Sequence, residues 1–440
     1  MFLTVRLFGM ETNPLSDIDS RERLAEAGVF VLRQLHKARS FFQRDWRASP
    51  SLFPLSLEEV RFLEKLGRYL YRFTRACDLL YHWSLRGKAP AWVSELLDRG
   101  KPPELIELGR DPRLRGELPL VIRPDLVLTP DGFALCELDS VPGGIGLTAW
   151  LQEVYAGLGE QPIGGAKGIR EAFDAIFPTG EVVIAEEARG YWPEFEYLVG
   201  ASRVVPAEGY RCGNDPIYRF FECFDWMNLS SLRQTYRPGS PWMTPPLKAY
   251  LEEKMWLALF WMRPLRSFWL RELSEKGFRF LQSVIPYSWV VDPTPLPPHA
   301  VIPELGIQDW RELGRFSQKE REVVLKISGF SPLAWGARGV FVGSDLPQIE
   351  WAKKVEEAIQ SFATHPFILQ RFVKGRVVRH YWIREDGVVL PMEGRARVSP
   401  FYFIIGEEVR LAGVLVTVCP LDKKLLHGMR DALLVPAKQA

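Results

Sequence analysis

The sequence predicts a mixed chain, part α/β and part α+β, with a helical N-terminal region followed by sheet-rich lobes. Three observations predict it. Apolar residues recur at three- and four-residue spacing over 57–85; short β-rich runs alternate with helical stretches from 118 onward; and β-rich runs dominate the C-terminal region. At 440 residues the chain is too long for one simple core and is expected to form two or three lobes.

Taken in order, 18–42 and 57–85 read as amphipathic helices, the second opened by Ser56-Leu57-Glu58-Glu59, and 92–97 as a third. Residues 1–115 are therefore expected to be a helical N-terminal region. An α/β lobe with a mainly parallel sheet is expected over 116–237, with strands at 182–185, 203–206 and 217–221 and helices at 169–176 and 191–199. The proline-rich joint 238–246 then opens a third region, 238–440. It is expected to begin with a helix over 247–262 and to carry strands at 322–327, 339–342, 367–373, 377–383, 388–393 and 411–418.

The chemistry concentrates at the start of the middle lobe. Largely apolar runs flank Thr129-Pro130-Asp131-Gly132, which predicts a β-hairpin. Glu137 and Asp139 are two apart and share a sheet face, and counting outward from the turn sets Asp125 roughly opposite Glu137. Like charges so placed destabilise a sheet unless a positive charge stands between them. Mg²⁺, which takes carboxylate and phosphate oxygens, is one candidate; the other is a solvated face whose acids pair with Arg123 and nearby bases.

Further on, Lys326 near the end of a buried-looking strand leads into a loop bearing Ser328, Gly329, Gly336 and Gly339. A lysine held this way suits phosphate oxygens, and glycines let backbone N–H groups approach a polyphosphate. It is not a P-loop, so an ordinary glycine-bearing hairpin stays open beside the phosphate reading. Gln370, within an apolar strand, could offer its amide at a base pocket or simply belong to a central strand. Lys248 and Lys254 are six apart on the expected helix and do not share a face. Arg395 and Arg397 alternate onto one strand face, as an anion clamp or as a solvated basic face.

Composition narrows the partners. Fifty-six basic against fifty-four acidic residues leave a net charge of +2, which argues against a dedicated nucleic-acid or polybasic membrane binder. Five scattered cysteines without a C-x-x-C pair indicate neither a disulfide framework nor a zinc site, and the six histidines show no metal-ligand spacing. Residues 1–10 carry no cleavage pattern and no apolar run approaches a membrane span, so a cytoplasmic location is expected. No serine or cysteine stands in a nucleophile signature.

Together these pieces resemble the glutathionylspermidine synthase-like family of circularly permuted ATP-grasp ligases. Arg123-x-Asp125 followed by Glu137-Leu138-Asp139 resembles the family's Arg-x-Asp and Glu-x-Asn elements. Leu247-Lys248 with Lys254 resembles its paired-lysine element; Lys326 to Gly339 resembles its strand-borne lysine and glycine loop, and Ile368-Leu369-Gln370 its base-pocket strand. The resemblance covers about 118–440. It implies a permuted ATP-grasp fold, with Asp125, Glu137 and Asp139 holding Mg²⁺ and Arg123 steadying the transferring phosphoryl group. It also implies that Lys248 and Lys326, with the loop residues, hold ATP phosphates and that Gln370 lies at the adenine pocket.

Departures from the family pattern are specific. Asp139 stands where the family has Asn, and Ser140-Val141-Pro142-Gly143-Gly144-Ile145-Gly146 replaces a serine-rich stretch that contacts a thiol peptide there. Ile327-Ser328 follows Lys326 where Pro is frequent, the gap from Lys248 is long, and no amidase-like Cys/His context precedes residue 118.

The expected activity is ATP- and Mg²⁺-dependent joining of a small-molecule or peptide carboxylate to an amine through an acyl phosphate, with the glycine loop as a lid. Two alternatives stand beside it. One is an ATP-binding module without turnover, serving a regulatory or assembly partner. The other is an ATP-grasp kinase acting on a small molecule, which would yield a phosphorylated product and no amide.

Overall fold

A computed structural model describes residues 14–38, 46–334, 336, 338–426 and 430–440. The N-terminal stretch 1–10, the end of the helix expected over 18–42, and His427 lie outside the described residues.

Helix Leu57–Leu85 begins where the sequence places it, because Ser56 Oγ accepts from Glu59 N and Glu59 returns a bond to Ser56 N. Its apolar stripe, including Leu63, Leu66, Leu70 and Phe73, is buried; each such side chain contributes roughly 1.5–3 kcal/mol. Gly67 permits a close approach to the large sheet: a Cβ there would lie 2.4 Å from the Tyr402 ring, whose hydroxyl donates to Leu63 O.

That sheet runs in the order Phe53–Leu55, Leu433–Gln439, Glu408–Pro420, Val389–Ile405, Val121–Thr129 and Gly132–Asp139, with Val377–Ile383 paired to the near end of Val389–Ile405. The acidic hairpin, expected in the middle lobe, is thus an edge of a sheet built mostly from the C-terminal region. Val389–Ile405 is far longer than the run expected at 388–393, and Leu433–Gln439 carries no strand signal that survives Pro436.

A second, all-antiparallel sheet has the order Val340–Val342, Val323–Ile327, Phe367–Arg371, Ser288–Val290. Val323, Leu325, Ile327 and Leu369 point to one face and pack with Trp351 and Val355 of helix Gln348–Gln360 in a separate apolar core. The alternate residues Val324, Lys326, Val340, Val342 and Gln370 look onto a cleft against the large sheet.

The third sheet is parallel, in the order Val204–Pro206, Glu181–Ile184, Ile217–Phe220, Met243–Thr244. Helices Ile145–Ala156, Gly168–Ile176 and Trp192–Val199 belong to this part of the chain, the first of them without a sequence signal recognised above.

The helix expected over 247–262 does not form as one element. A 3-10 turn at Ala249–Leu251 gives way to the short helix Met255–Leu259. Tertiary bonds set the break: Lys254 N donates to Ser328 O and Met255 N to Ser328 Oγ. Among the described residues no helix is long and apolar enough to cross a membrane.

Candidate functional site

The hairpin that carries the acids contains one extra residue. Leu126 pairs with Leu135, but Asp125 pairs with Glu137 and Arg123 with Asp139, leaving Cys136 bulged between them. In a regular ladder Asp125 would face Cys136, and Glu137 and Asp139 would fall on the opposite face. The bulge therefore gathers Arg123, Asp125, Glu137 and Asp139 on one face.

Cation partners separate these acids. Arg123 lies 3.1 Å from both Asp125 Oδ1 and Asp139 Oδ2 and donates to Gly143 O. Arg397, from the adjoining strand, stands 3.2 Å from Asp125 Oδ2, and Ser399 Oγ donates to Oδ1 at 2.8 Å. Burial would push the Asp125 carboxyl up, but the two guanidinium groups and the serine outweigh it and hold it below the usual range. Asp139 takes the opposite course: burial, aided by Glu137, outweighs Arg123 and lifts it to about 6.

Lysines complete the arrangement. Lys254 Nζ is 2.7 Å from Glu137 Oε1 and donates to Ala334 O in the glycine loop. Lys326 Nζ donates to the bulge carbonyl of Cys136 at 2.8 Å and to Gln370 Oε1 at 2.7 Å, while Gln370 Nε2 donates to Ser288 Oγ. Burial lowers the Lys326 ammonium below its ordinary range.

Between the small sheet and the hairpin lies a cleft of about 510 Å³. Asp125, Glu137, Lys326 and Gln370 line it, together with Val127, Val324, Val340, Val342, Phe372 and three leucines of 421–426. Seven basic side chains against four acidic ones make its wall net positive, which suits an anionic ligand bearing an apolar portion. Glu137 also borders a smaller pocket with Asp139, Glu222, Glu252 and Lys254, on the side of the parallel sheet.

Of the residues singled out from sequence, Asp125, Glu137, Lys326 and Gln370 meet at the cleft, whereas Arg123 and Asp139 lie to its side. Ser328 is buried and donates to Glu253, itself paired with Lys101. Gly329 packs against that carboxylate, where a Cβ would lie 2.6 Å from the carboxyl carbon. Gly339 O accepts Ile327 N at the hairpin base, and Gly336 is exposed with φ 65°; residues 335 and 337 lie outside the described part of this loop.

Lys248 goes elsewhere. Its ammonium is buried against Asp78, at 2.7 Å, and Glu117 O, well within the helical region's network, so the structure does not join it to Lys326. The lysine that reaches the acids of the hairpin is Lys254, brought there by the backbone bond to Ser328 O rather than by helical spacing. Arg395 and Arg397, singled out as a possible anion clamp, both line the cleft; Ser399 and the Cys136 carbonyl were missed as site groups, because strand register alone brings them in.

As donors for a divalent cation, the acids fit by chemistry, being all oxygen, with Glu137 left 38% exposed. Asp125 and Glu137 fit by placement too, since both line the cleft. Asp139 is drawn away by Arg123 and by Val141 N, and among the described residues no three metal-capable side chains converge.

Comparison with family models finds no match, and comparison with curated proteins finds none either. Among solved structures, a glutathione synthetase-like effector from Globodera pallida, in its apo form, matches at a TM-score of 0.53 and 11% identity over 98% of each chain. The chain shares that protein's mixed α/β fold over nearly its whole length. A putative gamma-glutamylcysteine synthetase from Methylobacillus flagellatus aligns over 77% of this chain and 85% of its own at 14% identity, with a TM-score of 0.35, too low to bear on the fold.

Proposed function

We propose that the protein is an ATP-dependent carboxylate-amine ligase of the ATP-grasp type, permuted so that the acidic hairpin precedes the nucleotide-binding lysine. The observation that carries this reading is the bond from Lys326 to both Gln370 and the Cys136 carbonyl, at the floor of a basic cleft whose other wall bears Asp125 and Glu137. A fixed lysine, a buried amide and two carboxylates around one cavity make a set that a nucleoside triphosphate with its metal would use. The fold shared with a glutathione synthetase-like protein supports the same class.

In this reading Lys326, held at both ends of its bonding reach, meets the triphosphate without rotamer search, and the valines and leucines of the cleft cover the base. Asp125 and Glu137, with Asp139 beside them, would hold Mg²⁺, which when bound supplies charge neutralisation for phosphoryl transfer. Arg123, fixed by Gly143 O, holds Asp125 and Asp139 and would steady the transferring phosphoryl group. Ser328, Gly329, Gly336 and Gly339 shape the loop that would exclude water, anchored by the Glu253 and Lys254 pair.

The tight pairing of Asp125 with Arg123, Arg397 and Ser399 favours the second reading, a nucleotide-binding module without turnover, because a carboxylate so engaged must exchange a partner to take a metal. Calorimetric titration with MgATP, repeated on Asp125→Ala with Glu137→Ala, followed by a screen of acids and amines for ADP release, separates the two. Metal-dependent binding lost in the double variant, plus amide formation, supports the ligase. Binding with no ADP release under any acid and amine supports the module, and no binding at all rejects both.

A further inference from the structure

We propose that Arg397 is a polyphosphate-binding side chain that exchanges Asp125 for a nucleotide's phosphate oxygens when the cleft fills. The inference rests on the nucleotide reading of the cleft and adds to it the residue that receives the anion opposite Lys326.

Two arginines touch Asp125, and they differ in where they stand and in how many partners hold them. Arg123 sits outside the cleft, with its bonds committed to Gly143 O, Asp125 and Asp139. Arg397 lines the cleft, and among the described residues its one close partner is Asp125 at 3.2 Å; its contact with Thr417 Oγ1 is at 3.5 Å, the outer limit of a hydrogen bond. Its Nε, like that of Arg123, is buried with no hydrogen-bond acceptor among the described residues. A buried donor without a partner is unfavourable, and a guanidinium offers five donors in a fork that matches a phosphate.

The strand register fixes where that fork stands. Arg397 pairs with Val127, which also lines the cleft, so Asp125 is its diagonal neighbour two residues back and Ser399 lies across from Asp125 itself. Arg395, two residues earlier on the same face, is already used: it donates to Gly375 O and Leu421 O and ties the cleft's rims together. Arg397 faces the cleft with a buried Nε that has no acceptor among the described residues, and its partner's loss is tolerable, because Asp125 keeps Arg123 and Ser399 when Arg397 turns away.

The test is calorimetric binding of MgATP and of adenosine to the wild type, Arg397→Met and Arg397→Lys, each checked for a native thermal transition. The expected result is a loss of MgATP affinity of about tenfold or more in Arg397→Met, roughly one bidentate charge-assisted contact, with adenosine affinity within about twofold of wild type. Arg397→Lys, which keeps the charge without the fork, should fall between, and it carries the test if Arg397→Met does not fold. Unchanged MgATP affinity in the variants, or an equal loss for adenosine, would overturn the role. Should the wild type bind neither ligand, the nucleotide reading itself fails and the role falls with it.

Discussion

Asp125 stands directly opposite Glu137 across the hairpin, and it does so because Cys136 is bulged out of the ladder between them. The same bulge frees the Cys136 carbonyl to receive Lys326 from the other sheet. One inserted residue thus sets both the acidic face and its link to the lysine.

The backbone of Cys136, not its thiol, is what this arrangement needs. Cys136→Ala should keep MgATP affinity within about twofold, since a side-chain truncation leaves the carbonyl in place. Deleting residue 136 removes the bulge: Glu137 then follows Leu135 and opposes Asp125 in a regular ladder, so the acidic face survives, but the carbonyl that receives Lys326 is lost and MgATP affinity should fall by about fivefold. Equal behaviour of the two variants in calorimetry would show that the bulge carbonyl does not position Lys326.

Lys326 is a charge held at an energetic disadvantage, as its lowered pKa reflects. Lys326→Met should reduce MgATP affinity by about tenfold or more while shifting the unfolding free energy by no more than about 2 kcal/mol. The lost bonds to Gln370 and Cys136 O are offset by removing a buried ammonium. A large fall in stability measured by urea unfolding would mean that the lysine is a structural member of the sheet.

How much of this was legible in the chain depends on what each element answers to. Thr129-Pro130-Asp131-Gly132 announces the hairpin locally, and Ser56 with Glu59 announces the helix start, so both are readable. The bulge is not, since nothing near Cys136 distinguishes the two registers; a lysine from a distant strand selects one. Gly394 and Pro400 hide the length of Val389–Ile405 for the same reason, their neighbours in the sheet supplying what local propensity lacks. Lys248 and Lys254 could be singled out but not sorted, because bonds to Ser328 start the short helix only at Met255, after both lysines.

Lys101 and Glu253 form a buried ion pair, 2% and 3% exposed, that carries Ser328 and the glycine loop on its other oxygen. Replacing one partner, as in Lys101→Met, should cost about 3–5 kcal/mol by leaving Glu253 without its counter-charge. Lys101→Met with Glu253→Leu should recover a good part of that. Urea unfolding of the three proteins checks it, and additive losses would contradict the coupling.

Asp139 gives a pH signature. Its folded carboxyl, raised by burial to about 6, binds a proton more tightly than the unfolded one, so ionising it as pH rises from about 4 to 6 lowers stability. Asp139→Asn removes that cost. Relative to wild type, the variant should gain stability across this window and hold a constant difference above it. Unfolding midpoints measured from pH 4 to 8 test this, and a difference that is flat, or that shrinks with pH, would speak against the burial of this acid.

The central claim is that a nucleoside triphosphate lies between the small antiparallel sheet and the acidic hairpin. Photolabelling with an azido-ATP in the presence of Mg²⁺, with and without excess ATP, locates it directly once the labelled peptides are sequenced. Protectable label on the peptides that bear Val324, Gln370 to Phe372, or Leu421 to Leu426 is the predicted result. Label confined to other parts of the chain, or label that ATP does not displace, would contradict it.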